Sequence, residues 1–120
     1  MLYAILCYNS EAITGSWTKE EDDAVLAQRR IVTDKLAAKG KLGPVARLMP
    51  TTAATTVRAG REPLVIDGPF AETKEQLLGF YIVDCDSLDE AIVAAKGMVD
   101  DNGAMEIRPL RLLRPGNLAK

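Results

Sequence analysis

Residues 77–99, "LLGFYIVDCDSLDEAIVAAKGMV", set a strand directly before a helix. From Leu77 to Cys85 the alternating positions are apolar on both sides, so the strand predicted there needs cover on both of its faces. Ser87 and Glu90 then offer a capping box, in which the hydroxyl accepts from the amide three residues on and the carboxylate reaches back. Leu88, Ala91, Ile92, Ala95, Met98 and Val99 follow at i, i+3, i+4 and i+7 spacing, which predicts an amphipathic helix beginning at that box.

Working outward, "LYAILCY" (2–8) is a second strand, apolar on both alternating sets. After a polar link holding Gly15 and Trp17, Thr18 and Glu21 repeat the capping-box pattern, with acidic residues Glu20 to Asp23 where the helix dipole favours them. The helix they start carries Ala24, Val25, Ala27, Ile31, Val32, Leu36 and Ala38 as a wide apolar face and stops at Gly40. Residues 44–49 read as a strand. "TTVRAG" and "REPLVI" read as a hairpin turned near Gly60, with Pro63 placing its strand at an edge or at an irregular start. A single helical turn is expected over 72–76, and "AMEIRPL" (104–110) alternates as a last strand. The tail from Arg114 reads as frayed or partner-bound.

This order, strand, helix, strand, hairpin, strand, helix, strand, predicts one α+β domain over residues 1–120. Its plan is ferredoxin-like, with two βαβ units and two helices on one face of an antiparallel sheet. The second apolar face then needs a cover. An identical subunit stacking its own sheet there is the simplest one, so a homodimer closing into a dimeric α+β barrel is expected.

Composition narrows the chemistry. The 120 residues carry a net charge of −2, with fifteen Lys and Arg spread along the chain, so no concentrated basic stripe serves a nucleic-acid backbone. The N-terminal apolar run lacks a basic leader and the length of a membrane segment, which makes cytoplasmic residence without membrane attachment the expectation. Histidine is absent, which excludes Ser-His-Asp and Cys-His mechanisms. Cys7 and Cys85 are too few for a metal site or a disulfide framework and read as buried thiols. No metal and no cofactor is expected.

Residues 67–75, "DGPFAETKE", hold the one turn whose chemistry stands out. Asp67-Gly68 favours a tight turn and Pro69 fixes φ, so Phe70 leaves in a set direction, as a hydrophobic anchor. Asp67 either accepts hydrogen bonds from the turn amides or faces a cavity as an acid-base group. Arg47, Arg58 and Arg108, on strands or at their ends, are candidate clamps for a carboxylate, and Tyr81 is a candidate pocket wall.

The segments "TTAATTVRAG", "LVIDGPFAETKEQLLGFYIVDCDSLDEAIVAA" and "MEIRPL" closely resemble the YCII-related proteins of the DGPF group, over roughly residues 40–111. The resemblance implies the same ferredoxin-like subunit and dimeric barrel. It leaves function open, because the wider superfamily holds isomerases, oxygenases and ligand-sensing regulators. Relatives in the YCII branch use a His-Asp pair in the cleft, whose Asp matches Asp67. Without a histidine that pair does not operate here. Leu78 also stands where the group often has a glycine. Two functional readings follow: a cleft near Asp67 that binds a small polar or anionic molecule, with acid-base chemistry at Asp67 as its extension; or a non-enzymatic regulatory dimer working with an extracytoplasmic-function sigma factor, as the gene context of some group members implies.

Overall fold

The computed structural model describes residues 1–118. In chain order its elements are β1 (Leu2–Asn9), α1 (Glu11–Thr14), α2 (Lys19–Ala38), β2 (Leu42–Arg47), β3 (Thr55–Arg58), β4 (Leu64–Asp67), β5 (Gln76–Asp84), α3 (Leu88–Met98) and β6 (Ala104–Pro109), with one 3-10 turn at Thr51–Ala53. The two-faced apolar strands take the centre of a four-stranded antiparallel sheet ordered β2-β5-β1-β6. That order is the ferredoxin-like arrangement. The expected hairpin forms, but β3 and β4 make a separate two-stranded sheet.

On the helix side, Tyr3, Ile5 and Cys7 of β1 and Tyr81 and Val83 of β5 meet Leu36 of α2 and Ala91, Ala94, Ala95 and Met98 of α3. Three alanines let α3 lie close to the sheet. Ile5, Val83 and Met98 are wholly buried, and each such large side chain contributes roughly 1.5–3 kcal/mol. Thr18 and Ser87 accept from the amides of Glu21 and Glu90, but only the first capping box is reciprocal: Glu21 reaches back to the Thr18 amide, whereas Glu90 accepts from the Asp86 amide and from Lys41. Gly40 closes α2 with a φ of 69°.

The apolar face of α2 is narrower than its composition suggests. Val32 and Leu36 turn inward, whereas Ile31 is 60% exposed and Ala24, Ala27 and Ala38 are exposed. One residue advances a helix by about 100°, so the inward row through Leu36 and Val32 excludes Ile31 and runs back to Arg29.

Three local expectations are corrected. The helical turn over 72–76 does not form: Thr73 Oγ1 donates to the Glu75 carbonyl at 2.5 Å and Gln76 Nε2 donates to the Thr73 carbonyl at 2.5 Å. Side chains have taken the acceptors that a helix would use. β2 starts at Leu42 rather than 44, because a register shift between Leu42 and Val45 takes Pro44 into an edge strand. The link after β1 is not wholly irregular, since Glu11–Thr14 makes one helical turn closed by Gly15 N–H to the Glu11 carbonyl at 2.8 Å.

A β-bulge shifts the pairing of β1 and β5 between Cys7 and Tyr8: Cys7 lies opposite Gly79 and Tyr8 opposite Leu77. Leu78 is the extra residue. On the open face of the sheet, away from the helices, lie Ala4, Leu6, Tyr8, Leu77, Phe80 and Ile82, of which Ala4 and Ile82 are buried, Leu6, Tyr8 and Phe80 half-buried and Leu77 exposed. Chain beyond Leu110 is irregular to residue 118, and the tail expected from Arg114 includes Ala119 and Lys120, which lie outside the described residues. Among the described residues no helix is long and apolar enough to cross a membrane.

Candidate functional site

The bulge and the link after β1 together make a hollow. Leu78 is turned out of the regular alternation toward the helix side, and Trp17 closes over from the α1–α2 link. α2 supplies Asp22, Leu26 and Arg29, β2 supplies Val45 and Arg47, and Leu48, Met49 and Pro50 continue the rim. The cavity so enclosed measures about 520 Å³, with Cys7, Tyr81 and Asp100 also on its lining. That is within the size range of small-molecule pockets.

Its lining includes a buried polar network. Asp100 accepts from Arg29 Nη2 at 3.2 Å through one carboxylate oxygen and from Asn9 Nδ2 at 2.8 Å through the other. Arg29 Nε also donates to the Met98 carbonyl at 3.3 Å. Asn9 is 1% exposed, and its own carbonyl oxygen accepts from the Ser10 amide at 2.7 Å. The turn joining α3 to β6 is shaped around this carboxylate. Asn102 adopts a φ of 65°, and a Cβ on Gly103 would stand 2.4 Å from Asp100 Oδ1, so only glycine leaves Asp100 its place.

Burial pushes the Cys7 thiol up to about 11. Burial also raises the Tyr81 phenol, with the Arg29 guanidinium pulling it partly back. Both groups therefore keep their protons at neutral pH. At the rim, Arg47 grips Asp22 with both nitrogens, Nη2 to Oδ1 at 2.6 Å and Nη1 to Oδ2 at 3.3 Å. This fork holds the Asp22 carboxyl below its usual range. Glu11 accepts from the Thr51 amide at 2.8 Å and from the Thr51 hydroxyl, tying the rim segment to α1.

Arg47 and Tyr81, two of the side chains singled out in the sequence, meet at this cavity. Arg58, Asp67, Phe70 and Arg108 do not line it. Arg108 lies opposite Ala4 at the open face and pairs with Glu106 at 2.7 Å. Arg58 donates to the Phe70 carbonyl at 3.4 Å across the hairpin. The Asp-Gly-Pro-Phe corner is rigid as expected: Gly68 N–H donates to the Ala54 carbonyl at 2.8 Å, Thr56 Oγ1 donates to the Gly68 carbonyl at 2.7 Å, and Gly68 takes a φ of 104° that suits glycine. Asp67 is exposed, and its carboxylate accepts no hydrogen bond among the described residues. Phe70 is 74% exposed and so anchors nothing within its own chain. A shallower hollow lies beside the corner, lined by Thr51, Thr52, Pro69, Glu72 and Gln76.

Sequence reasoning missed Arg29, Asn9, Asp100 and the wall position of Trp17. One signal was present: Arg29 sits three and seven residues before Val32 and Leu36, a charge in an apolar row that calls for a buried partner. Nothing local marked Asp100, seventy-one residues from Arg29, as that partner. Among the described residues no group of three or more His, Cys, Asp or Glu side chains is placed to hold a metal ion.

Comparison with known proteins adds two findings. An uncharacterized protein of Rhizobium meliloti (strain 1021) is 57% identical over 122 aligned positions, covering 98% of each chain. The YCII-related domain matches residues 1–114, which include every element of the sheet, both long helices and the whole cavity lining. On that match and that relative, the chain belongs to the YCII-related domain family.

Proposed function

We propose that the protein is a ligand-binding subunit that takes a small organic anion into the cavity and works as a homodimer. The observation that carries this reading is the unspent capacity of Arg29. Its side chain is only 16% exposed, it donates through Nε and one Nη2 hydrogen, its Nη1 makes no hydrogen bond of standard geometry among the described residues, and the Tyr81 phenol lies beside the guanidinium. A guanidinium has five N–H donors. No buried polar side-chain atom among the described residues is left without a partner, so Nη1 is reached by solvent, and the cavity is the space Arg29 lines.

The protonated Tyr81 phenol adds a second donor, while Trp17, Leu26, Leu48 and Leu78 supply an apolar wall. A carboxylate on a compact apolar body fits that combination, since the planar guanidinium matches a carboxylate edge. Asp100 already offsets much of the charge of Arg29. Recognition therefore rests on hydrogen-bond geometry more than on net attraction.

Binding is favoured over proton transfer. The cavity groups that are shifted all move away from neutrality, Cys7 and Tyr81 upward and Asp22 downward, whereas a general acid or base works best near the ambient pH. For the dimer, the support is the sheet face away from the helices, where Leu6, Tyr8 and Phe80 are half-buried and Leu77 is exposed with no helix over them.

The test is a thermal-shift panel of aromatic and branched aliphatic carboxylic acids, read in parallel by quenching of Trp17, the only tryptophan in the chain. A ligand at a hundred times its Kd adds about 2.7 kcal/mol, or roughly 10 °C for a chain of this length. Arg29→Met paired with Asp100→Asn removes the donor without stranding a charge and should abolish both signals. A panel that leaves melting and fluorescence unmoved, or an acid that binds the double variant equally well, rules the reading out.

A further inference from the structure

We infer that the site is composite, with the β3–β4 hairpin acting as an arm that seats on a second copy of the chain and lays its Val57, Val65 and Asp67 face across that copy's cavity mouth. The inference takes the cavity from the reading above as the site, but not the ligand proposed for it.

The surface area leaves room for a large partner. A compact monomer of 13.0 kDa exposes roughly 6,300 Å², whereas this chain exposes 8881 Å². Part of the excess of about 2,500 Å² belongs to the irregular chain beyond Leu110, and the whole exceeds the roughly 800 Å² per partner of a standard interface. The radius of gyration, 15.9 Å, likewise exceeds the roughly 13.6 Å of a compact chain of this length.

The exposed apolar residues say where the partner sits. On the hairpin and its corner, Val57 is 66% exposed, Leu64 58%, Val65 65% and Phe70 74%. A two-stranded hairpin with both faces wet is marginal alone and needs something to pack on. The cavity rim, a few residues earlier, exposes Val45, Leu48 and Met49, the last to 77%. By contrast, Leu77 at 37% is the most exposed large apolar residue of the open sheet face within β1 and β5. Stacked sheets alone therefore leave the largest exposed apolar groups uncovered.

Pairing arm with rim satisfies both patches at once. A two-fold axis makes the exchange reciprocal and closes it, so no open chain of subunits results. Opposite register sets the contacting face: Val57 pairs with Val65 and Thr55 with Asp67, placing both valines and the carboxylate on one side. Charge agrees as well. Asp67 is exposed on the arm, and Arg47, 56% exposed on the rim, has donors beyond those it gives Asp22. In this arrangement Asp67 of one copy joins Arg47 and Tyr81 of the other, while Arg58 and Leu64 lie on the opposite face of the arm.

A tagged Met49→Cys chain co-expressed with an untagged Val65→Cys chain tests the contact, since Cys7 and Cys85 are buried and do not compete. Oxidation by air with copper phenanthroline should give a tagged–untagged disulfide as the main product. Val65→Glu in the otherwise native chain should shift Trp17 emission to longer wavelength with the circular dichroism spectrum retained. Absence of the mixed disulfide, a folded 13.0 kDa monomer, or Trp17 emission unmoved by Val65→Glu each overturns the proposal. None of these readouts involves a ligand, so failure to find one leaves the outcome intact.

Discussion

Asp100→Ala is the sharpest probe of the cavity lining. Asp100 has a side chain 7% exposed and pairs Arg29, 16% exposed, while accepting from Asn9. Removing it leaves a buried guanidinium and an amide hydrogen without their acceptor, and breaking a buried pair from one side costs about 3–5 kcal/mol. Arg29 keeps the Met98 carbonyl and Asn9 keeps a longer bond to the Asp101 carbonyl at 3.4 Å, so the expected loss sits near 3 kcal/mol. With unfolding entropy of about 2.1 cal/mol/K per residue, that lowers Tm by roughly 12 °C. Urea and thermal unfolding, followed by circular dichroism and Trp17 emission at one protein concentration, measure it directly. The double variant Arg29→Met with Asp100→Asn should recover to within about 1 kcal/mol of the native chain, because its charges leave together. A loss below about 0.5 kcal/mol for Asp100→Ala, or a double variant worse than the single one, would refute the network as described.

Three further outcomes follow from the same geometry. Gly103→Ala should cost about 1–3 kcal/mol by driving a methyl into Asp100 Oδ1, and most of that cost should vanish in an Asp100→Ala background, which a double-mutant cycle in urea reads out. The Cys7 thiol, raised by burial from 9.0 to about 11, holds its proton more tightly folded than unfolded; its contribution is complete below pH 9 and is lost as pH climbs to 11, a decline of roughly 3 kcal/mol visible in Tm against pH and absent from Cys7→Ala. Leu6→Lys places a charge in the middle of the open face, opposite Phe80, and should convert a dimer seen by light scattering into folded 13.0 kDa particles.

The framework was legible because it is local. Two helix N-caps, two strands apolar on both faces and the glycine after α2 each announce themselves within a few residues, and the ferredoxin-like order follows from their sequence. The cavity was not legible for the opposite reason. Its lining joins Arg29 and Asp100, the latter held from behind by Asn9, and its wall depends on one extra residue at Leu78 that no periodicity reveals. Of the named candidates, Arg47 reaches the cavity because β2 ends there, and Tyr81 because it lies on the helix side of β5. The Asp-Gly-Pro-Phe corner was correctly read as rigid, yet rigidity carries no information about which way an arm projects.

The placement of β1 has a consequence for how the chain is born. Of the strands of this sheet it is the first to be synthesised, but both of its neighbours, β5 and β6, lie between residues 76 and 109. At 5–20 residues per second, an unpaired apolar strand waits several seconds or more for them. Nascent-chain stalling should therefore yield no protease-resistant core until nearly the whole domain has emerged, and a trigger-factor-like holdase that shields short greasy segments should raise the yield of native protein.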